Sequence, residues 1–179
     1  MALGKSGFAV WLTGLPSSGK SVIANELKRL LAEQGVSVQI LDSDELRKHL
    51  TPYPTYTDEE RKWFYDMIIF LADLLTGNGV NVLIAATGSR REYRDSARSR
   101  IKRFTEAHID CPREVCQRRD PKALWRRVEK GEIRALPGAG IQYEAPLSPD
   151  FRVDSSIMTI KEAGQHIFEG LRQKGFFDS

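Results

Sequence analysis

The spacing of hydrophobic residues along the chain predicts strands and helices that follow each other in turn. Short apolar runs, typical of buried strands, lie at residues 8–13, 36–41, 80–86, 107–111 and 151–153. Between these runs, apolar residues recur every three or four positions, as they do on the buried face of a helix. We therefore predict an α/β fold of three layers (α/β/α), in which a mainly parallel five-stranded sheet is covered by helices on both faces.

Local signals set the ends of several predicted helices. Two prolines make residues 51–57 unsuitable for regular helix, and Thr57 with Glu60 then matches a capping box for the helix that follows. A later helix is predicted to continue as far as Phe104, because an apolar residue recurs there at helical spacing. The final helix is predicted to begin at Thr159, which has a glutamate three residues further on.

Composition narrows the class of protein. Of the 179 residues, 41% are hydrophobic and 28% are charged, which suits one globular domain spanning residues 1–179. The net charge of +3 is too small to favour a nucleic-acid partner. No apolar run approaches the roughly 18 residues of a membrane span, and the N-terminus lacks a signal-peptide pattern. The 2 cysteines are too few for a disulfide framework, so we expect a reduced, cytoplasmic protein without membrane or nucleic-acid partners.

The first predicted strand and helix are joined by residues 14–21, which match every fixed position of the phosphate-binding P-loop. In such a loop, backbone N–H groups and the start of the following helix attract a polyanion. Lys20 is placed to reach the β- and γ-phosphates, and the Ser21 hydroxyl is placed to bind Mg²⁺. We therefore predict ATP and Mg²⁺ as ligands. The residues expected to bind ATP here are Gly14, Leu15, Pro16, Ser17, Ser18, Gly19, Lys20, Ser21 and Val22.

Two acids follow the second strand, at the edge of an open α/β sheet where ligands bind. Asp44 suits the base that accepts the proton of an attacking hydroxyl, and Asp42 suits Mg²⁺ or its water ligands. Either Ser43 or Asp44 could also cap the next helix. No acid ends the third strand and no Asn-Lys-x-Asp motif occurs, which favours a small-molecule kinase over a motor ATPase or a GTPase.

An arginine-rich segment suits a lid that closes over phosphates and excludes water. The arginines crowd residues 118–134, and the glycine- and proline-containing residues 136–140 are expected to be mobile. Together they predict a lid over about residues 118–140.

The sequence resembles the adenylylsulfate kinases from about residue 8 to residue 149. The resemblance includes the P-loop, the two acids and Arg47, but its most specific part is a series of three later motifs. These motifs are Arg119-Asp120-Pro121-Lys122, Gly131-Glu132-Ile133 and Tyr143-Glu144-Ala145-Pro146. The resemblance implies a P-loop kinase that transfers the γ-phosphate of ATP to the 3′-hydroxyl of adenosine 5′-phosphosulfate (APS), giving PAPS in sulfate assimilation. It also implies a homodimer.

The resemblance assigns roles to individual residues. Arg119 would lie on the ATP adenine, and Tyr56 would replace a family phenylalanine beside the acceptor nucleotide. The residues implied on the acceptor side are Asp42, Arg47, Tyr56, Arg61, Thr87, Gly88, Lys122 and Leu136.

Three departures from the family pattern all fall on the predicted acceptor side. Phe64 stands where the family has asparagine, Gly88 stands where it has serine, and Leu136 begins a stretch that differs from the family lid. We expect Gly88 to let the backbone approach the acceptor closely. Two alternatives therefore stay open: a kinase of this family that acts on another nucleotide or small-molecule hydroxyl, and a nucleotide-binding module without transferase activity.

Overall fold

The apolar runs of the sequence form one parallel sheet in the computed structural model, which describes residues 6–177. The strands are β1 (Ala9–Thr13), β2 (Val38–Asp42), β3 (Asn81–Ala85), β4 (Phe104–Asp110), β5 (Leu136–Pro137), β6 (Gly140–Ile141) and β7 (Phe151–Asp154). Five of them form the main sheet in the order β2-β3-β1-β4-β7, and every neighbouring pair is parallel. The short strands β5 and β6 pair separately. The predicted α/β fold with a five-stranded parallel sheet is confirmed.

Helices cover both faces of the main sheet. The helices are α1 (Lys20–Glu33), α2 (Ser43–Leu50), α3 (Asp58–Gly77), α4 (Arg91–Arg100), α5 (Arg113–Arg119), α6 (Leu124–Glu129) and α7 (Ile160–Gln173). One core cluster packs α1 and α7 on one face, and a second packs α3 and α4 on the other. Among the residues from 6 to 177, no helix combines the length and the apolar character needed to cross a bilayer.

The central strand β1 shows why the sheet needs an apolar run rather than an alternating one. Val10 and Leu12 enter the cluster beneath α1 and α7, whereas Ala9 and Trp11 enter the cluster beneath α3 and α4. All four are fully buried, as expected for a parallel sheet that is covered on both faces. The indole Nε1 of Trp11 donates to the carbonyl oxygen of Ala86 at 2.9 Å, so its polar atom is also satisfied.

The strand order places a crevice at the carboxyl end of β1. From β1 the chain first builds β2 and β3 on one side, and it then crosses to β4 and β7 on the other. Ligands of open α/β sheets bind at such a reversal, just outside the carboxyl ends of the strands. The residues that follow β1, β2 and β3 therefore meet at one edge.

A third apolar cluster packs the segment after β4 against the P-loop. Trp125 and Leu136 are buried there, with Leu15 packed against them. The Trp125 indole Nε1 donates to the carbonyl oxygen of Pro16 at 3.3 Å. Residues 136–140, expected to be mobile, take a defined conformation that includes β5 and the start of β6. Their mobility stays a prediction.

Two local predictions were wrong. Helix α4 ends at Arg100, and Phe104 begins β4 instead of extending the helix, although its side chain still packs in the α3–α4 cluster. The chain leaves α4 and turns before β4, so Phe104 reaches this cluster from the first position of a strand and not from a helix. Thr57 does cap α3, but Glu60 completes no capping box, because its carboxylate accepts hydrogen bonds from Thr55 instead.

Candidate active site

One cavity of about 1190 Å³ opens at the carboxyl edge of the sheet. Its walls come from the P-loop, from α2 and the start of α3, and from the segment between α5 and β5. The predicted site residues that line it are Pro16, Ser17, Ser18, Gly19, Lys20, Ser21, Val22, Asp44, Arg47, Tyr56, Arg61, Thr87, Arg119, Lys122 and Leu136. Four predicted residues lie outside the lining, namely Gly14, Leu15, Asp42 and Gly88.

The P-loop has the conformation that a phosphate chain requires. A Cβ on Gly14 would lie 2.4 Å from the carbonyl oxygen of Ile109, so only glycine fits there. Gly19, with φ +103, is the N-cap of α1 and supplies no side-chain cap, so the first-turn N–H groups of α1 lack intrahelical partners. The Ser18 hydroxyl is buried and has no partner among residues 6–177. The first-turn N–H groups of α1 fit a bound polyanion.

Lys20 lies half-buried at the centre of the loop. Its Nζ donates to the carbonyl oxygens of Gly14 at 3.0 Å and Leu15 at 2.9 Å. Burial lowers the pKa of Lys20 to about 8, although the charge of Asp44 raises it in part. A partly desolvated ammonium with only two carbonyl partners is incompletely compensated, so phosphate oxygens would improve its environment.

Asp42 joins the P-loop to the start of α2. Its Oδ2 accepts a hydrogen bond from the Ser21 hydroxyl at 2.6 Å, and its Oδ1 accepts one from the Asp44 backbone N–H at 2.8 Å. Asp42 is therefore the N-cap of α2, and the expectation that Ser43 or Asp44 caps this helix was wrong.

The hydroxyl of Ser21 and the carboxylate of Asp42 fit Mg²⁺, which prefers oxygen ligands and takes several from phosphates and water. Within residues 6–177 no cluster of three or more His, Cys, Asp or Glu side chains could hold a metal by itself. A cation at Ser21 and Asp42 would therefore depend on the nucleotide for much of its coordination.

Asp44 forms an ion pair with Lys122, which lies between α5 and α6. The Asp44 side chain is 52% exposed and the Lys122 side chain 53% exposed. Exposed pairs of this kind contribute at most about 1 kcal/mol, so the contact can open when a ligand arrives. The predicted base is thus linked to the predicted lid.

Arg61 connects the loop at 51–57 to the segment before β5. Its guanidinium is buried, and burial lowers its pKa. Its Nε donates to the carbonyl oxygen of Tyr56 at 3.1 Å, and its Nη2 donates to that of Ala135 at 2.6 Å. Tyr56 has φ +56, which is unusual for a bulky residue and is typical of a strained functional loop.

Arg119 lies on the other side of the P-loop. Its Nη2 donates to the carbonyl oxygen of Ser155 at 2.6 Å, and the Ser155 hydroxyl donates to the carbonyl oxygen of Ser18 at 2.8 Å. Met158 and Ile160 line the same part of the cavity. An arginine plane beside apolar side chains suits a nucleotide base, as the resemblance implied for Arg119. Three of these cavity residues were not predicted, although their place at or soon after the end of the last strand could have indicated them. They are Ser155, Met158 and Ile160.

The structure places Gly88 outside the cavity lining, packed on the core, and its expected close approach to the acceptor stays a prediction. Its N–H donates to the Tyr65 hydroxyl at 3.0 Å, its carbonyl oxygen accepts from Arg94, and it is buried. A Cβ at this position would lie 2.9 Å from the Trp11 ring. Gly88 thus allows close packing of the loop on the core, while Thr87 lines the cavity.

The substitution Gly88→Ser is expected to destabilise the protein, because φ +52 strains an L side chain and the Trp11 contact forces a shift. We expect a loss of about 2–3 kcal/mol, or roughly 4–12 °C in Tm. Gly35→Ser is the matched control, since Gly35 has φ +71 but open space around its Cβ. Thermal melts that show equal losses in the two variants would contradict the packing described for Gly88.

The Tyr143-Glu144 motif holds the loop after β3 in place. The Tyr143 and Thr13 hydroxyls lie 3.1 Å apart, and burial raises the pKa of Tyr143 to about 12. The Glu144 backbone N–H donates to the Ser89 carbonyl oxygen at 2.8 Å, and its carboxylate accepts from the Arg91 backbone N–H at 2.8 Å. This motif supported the family resemblance, but its structural role was not predicted.

Comparison with known proteins shows the family of the chain. The model of the adenylylsulphate kinase family matches residues 6–154. The chain belongs to the adenylylsulfate kinase family.

Close relatives of this adenylylsulfate kinase family member extend over nearly its whole length. An adenylyl-sulfate kinase of Rippkaea orientalis is 36% identical over 172 residues, which cover 96% of this chain and 95% of the relative. The structure of the Mycobacterium tuberculosis APS kinase in complex with AMPPNP and APS has a TM-score of 0.88 at 34% identity and covers 93% of this chain and 98% of that one. A hexameric APS kinase from Thiobacillus denitrificans has a TM-score of 0.73 at 26% identity; the match covers 97% of this chain and 30% of that longer chain.

The lid stays a prediction that hydrogen exchange can test. We expect the amides of residues 118–140 to exchange more slowly when both nucleotides are bound, because the arginines of this segment would then bind the nucleotide phosphates. The amides of Ile167, Phe168 and Leu171 in the later part of α7 serve as the internal control, since these buried residues do not line the cavity. Equal exchange across residues 118–140 with and without nucleotides would show that this segment does not close.

Proposed function

We propose that the protein is an adenylylsulfate kinase that transfers the γ-phosphate of ATP to the 3′-hydroxyl of APS and so produces PAPS for sulfate assimilation. One observation carries this proposal. A complete P-loop and a cationic pocket wall with Arg47 and Arg61 share a single cavity, with Asp44 among its lining residues. Family membership and the similarity to an APS kinase that binds AMPPNP and APS support the same conclusion.

In the proposed reaction, the P-loop N–H groups and Lys20 bind the phosphates of ATP and neutralise charge that develops during transfer. Asp44 accepts the proton of the 3′-hydroxyl while the oxygen of that hydroxyl forms a bond to the γ-phosphorus. At the same time the bond between the γ-phosphorus and the bridging oxygen of ADP breaks. Ser21 and Asp42 would hold Mg²⁺, which supplies further charge neutralisation when bound. Arg47, Arg61 and Lys122 would hold the acceptor, so Lys122 must first leave Asp44.

A kinase that phosphorylates another acceptor is the second candidate function, and two observations support it. Phe64 and Leu136 depart from the family pattern, and Leu136 lines the cavity while Phe64 packs under Arg47. The third departure, Gly88, is buried and lies outside the cavity lining. Lys20 and Asp44 both line the cavity, which is more typical of a transferase than of a binding module.

An acceptor screen tests the proposal. The protein is incubated with ATP and Mg²⁺ alone, and then with APS, AMP, other nucleotides and small polyols, while ADP release and products are measured. We expect ADP release only with APS, matched by PAPS. Release that depends on a different compound would favour the second candidate, and release without any acceptor would indicate an uncoupled ATPase.

Three further features are proposed on the same basis. We propose that residues 1–179 act as one kinase domain with the lid described above, that two copies form a homodimer, and that the enzyme works in the cytoplasm. The free thiols Cys111 and Cys116 suit a reducing compartment. Light scattering of the purified protein would measure the homodimer directly.

ATP affinity is expected to fall as pH rises through about 8, the pKa of Lys20 in the free protein. Phosphate binding needs the charged form, so the Kd should increase roughly five- to tenfold between about pH 7.5 and 9. The unliganded protein should become more stable over the interval from about pH 8 to 10, since the unfolded state then binds more protons than the folded one. Calorimetric titration at each pH measures the Kd. In Lys20→Met the Kd for ATP should depend less on pH. An equally steep dependence of the Kd on pH would assign the titration to another group.

A further inference from the structure

The guanidinium of Arg47 is held on its side of the cavity by aromatic rings and a carboxylate. Its Cζ lies 3.8 Å from the centre of the Phe64 ring and 5.1 Å from that of Tyr56. Its Nη1 donates to Glu60 Oε1 at 3.2 Å and to the Thr51 hydroxyl at 3.4 Å. The side chains of Arg47 and Glu60 are each only 15% exposed. Few conformations of Arg47 preserve all of these contacts.

These contacts occupy one edge of the Arg47 fork. Its Nε and Nη2 groups have no hydrogen-bond partner within residues 6–177, although Arg47 lines the cavity. A planar guanidinium with two neighbouring N–H groups available suits bidentate binding of an oxyanion. The arrangement therefore prepares Arg47 for an anionic group of a ligand.

Glu60 ties this arrangement to the loop that carries Tyr56. Its Oε2 accepts hydrogen bonds from the backbone N–H and the hydroxyl of Thr55, the latter at 2.6 Å. Burial opposes ionisation of Glu60, but the hydrogen bonds from Thr55 and Tyr56 and the charge of Arg47 outweigh it and lower the pKa. Glu60 therefore stays charged at neutral pH and holds α3, Arg47 and the loop together.

We propose that Phe64 and Glu60 are positioning residues that aim the Arg47 fork at the anionic phosphosulfate group of the acceptor. This inference rests on the proposed function. Phe64 is fully buried, so it acts through Arg47 and not by touching the ligand. A guanidinium is attracted to an aromatic face more strongly when both are removed from water. Phe64 therefore holds Arg47 in place in addition to packing in the core.

The substitution Phe64→Leu keeps an apolar side chain and removes the ring. We expect the KM for APS to rise roughly five- to tenfold, while the KM for ATP changes less than about twofold. Phe168→Leu is the matched control, because Phe168 is a buried phenylalanine in α7 on the opposite face of the sheet. It should lower Tm comparably without separating the two KM values. Equal changes of both KM values in Phe64→Leu would overturn the proposal.

A double-mutant cycle separates positioning from general packing. In an Arg47→Ala background, Phe64→Leu should raise the KM for APS less than about twofold further, because the group that it positions is gone. A full five- to tenfold rise in that background would show that Phe64 acts independently of Arg47. Glu60→Gln should give the same pattern as Phe64→Leu, with weaker binding of the acceptor alone.

A spectroscopic measurement tests the arrangement without turnover. The Nε–H resonance of Arg47, assigned by its loss in Arg47→Ala, should be shifted by the Phe64 ring and should move in Phe64→Leu. Inorganic sulfate should perturb it at lower concentration in the wild type than in Phe64→Leu. A signal that Phe64→Leu and sulfate leave unchanged would overturn the positioning role. Wild-type protein that shows these shifts but does not phosphorylate APS would instead contradict the proposed function.

Discussion

Lys20→Ala is expected to lower kcat for PAPS formation by about 10²–10⁴-fold, because the charge that stabilises the transferring phosphoryl group is lost. The loss should not come from unfolding. Loss of solvation lowers the pKa of Lys20 to about 8, so its removal relieves an incompletely compensated charge, and Tm should stay the same or rise. Steady-state kinetics with both substrates saturating, together with thermal melts, measure the two effects separately.

Lys28→Ala is the matched control for this prediction. Lys28 lies two turns further along α1 and is exposed, so its removal changes the net charge equally but leaves the cavity intact. We expect its kcat to remain within about twofold of the wild type. A Lys20→Ala enzyme with more than about a tenth of the wild-type kcat would show that the P-loop lysine does not stabilise the transfer.

Asp44→Asn should also reduce kcat by about 10²–10⁴-fold, since the amide keeps the shape of the side chain but cannot accept the hydroxyl proton. The fold should survive, because Asp42 and not Asp44 caps α2. Product formation over a range of pH values measures the effect, and binding of ATP should change little.

Two comparisons isolate proton transfer from the ion pair with Lys122. Glu45→Gln removes a neighbouring exposed carboxylate on α2 and should leave kcat nearly unchanged. Lys122→Met breaks the same ion pair as Asp44→Asn, and we expect it chiefly to raise the KM for the acceptor. If Asp44→Asn retains most of its kcat, the base must be another group.

The fold could be predicted because the strands of a parallel sheet are buried on both faces and therefore consist of nearly continuous apolar residues. The strand β1 is such a run, and the P-loop after it is a local motif whose conformation depends on few distant residues. Phe104 was misassigned since helix and strand can bury the same side chain in the same cluster. Periodicity specifies what is buried and only indirectly which element buries it.

The candidate site was predictable where its chemistry is local and not where distant segments decide it. The glycine pattern and Lys20 belong to one short segment, so sequence alone indicated them. By contrast, Gly88 faces the core because Trp11 and Arg94 pack against it from other elements. The capping-box prediction for Glu60 failed for a similar reason: its carboxylate is drawn to Thr55 and Arg47, which local spacing does not reveal.

The ion pair between Asp44 and Lys122 has a consequence for the cell's energy economy. In the unliganded protein the Lys122 ammonium lies on the Asp44 carboxylate, which the proposed acceptor hydroxyl would have to reach. Under the proposed function, the acceptor would draw Lys122 away from Asp44, so the carboxylate would be free chiefly when the acceptor hydroxyl is beside it. Because an exposed ion pair contributes at most about 1 kcal/mol, it would slow the hydrolysis of ATP without acceptor by no more than about fivefold.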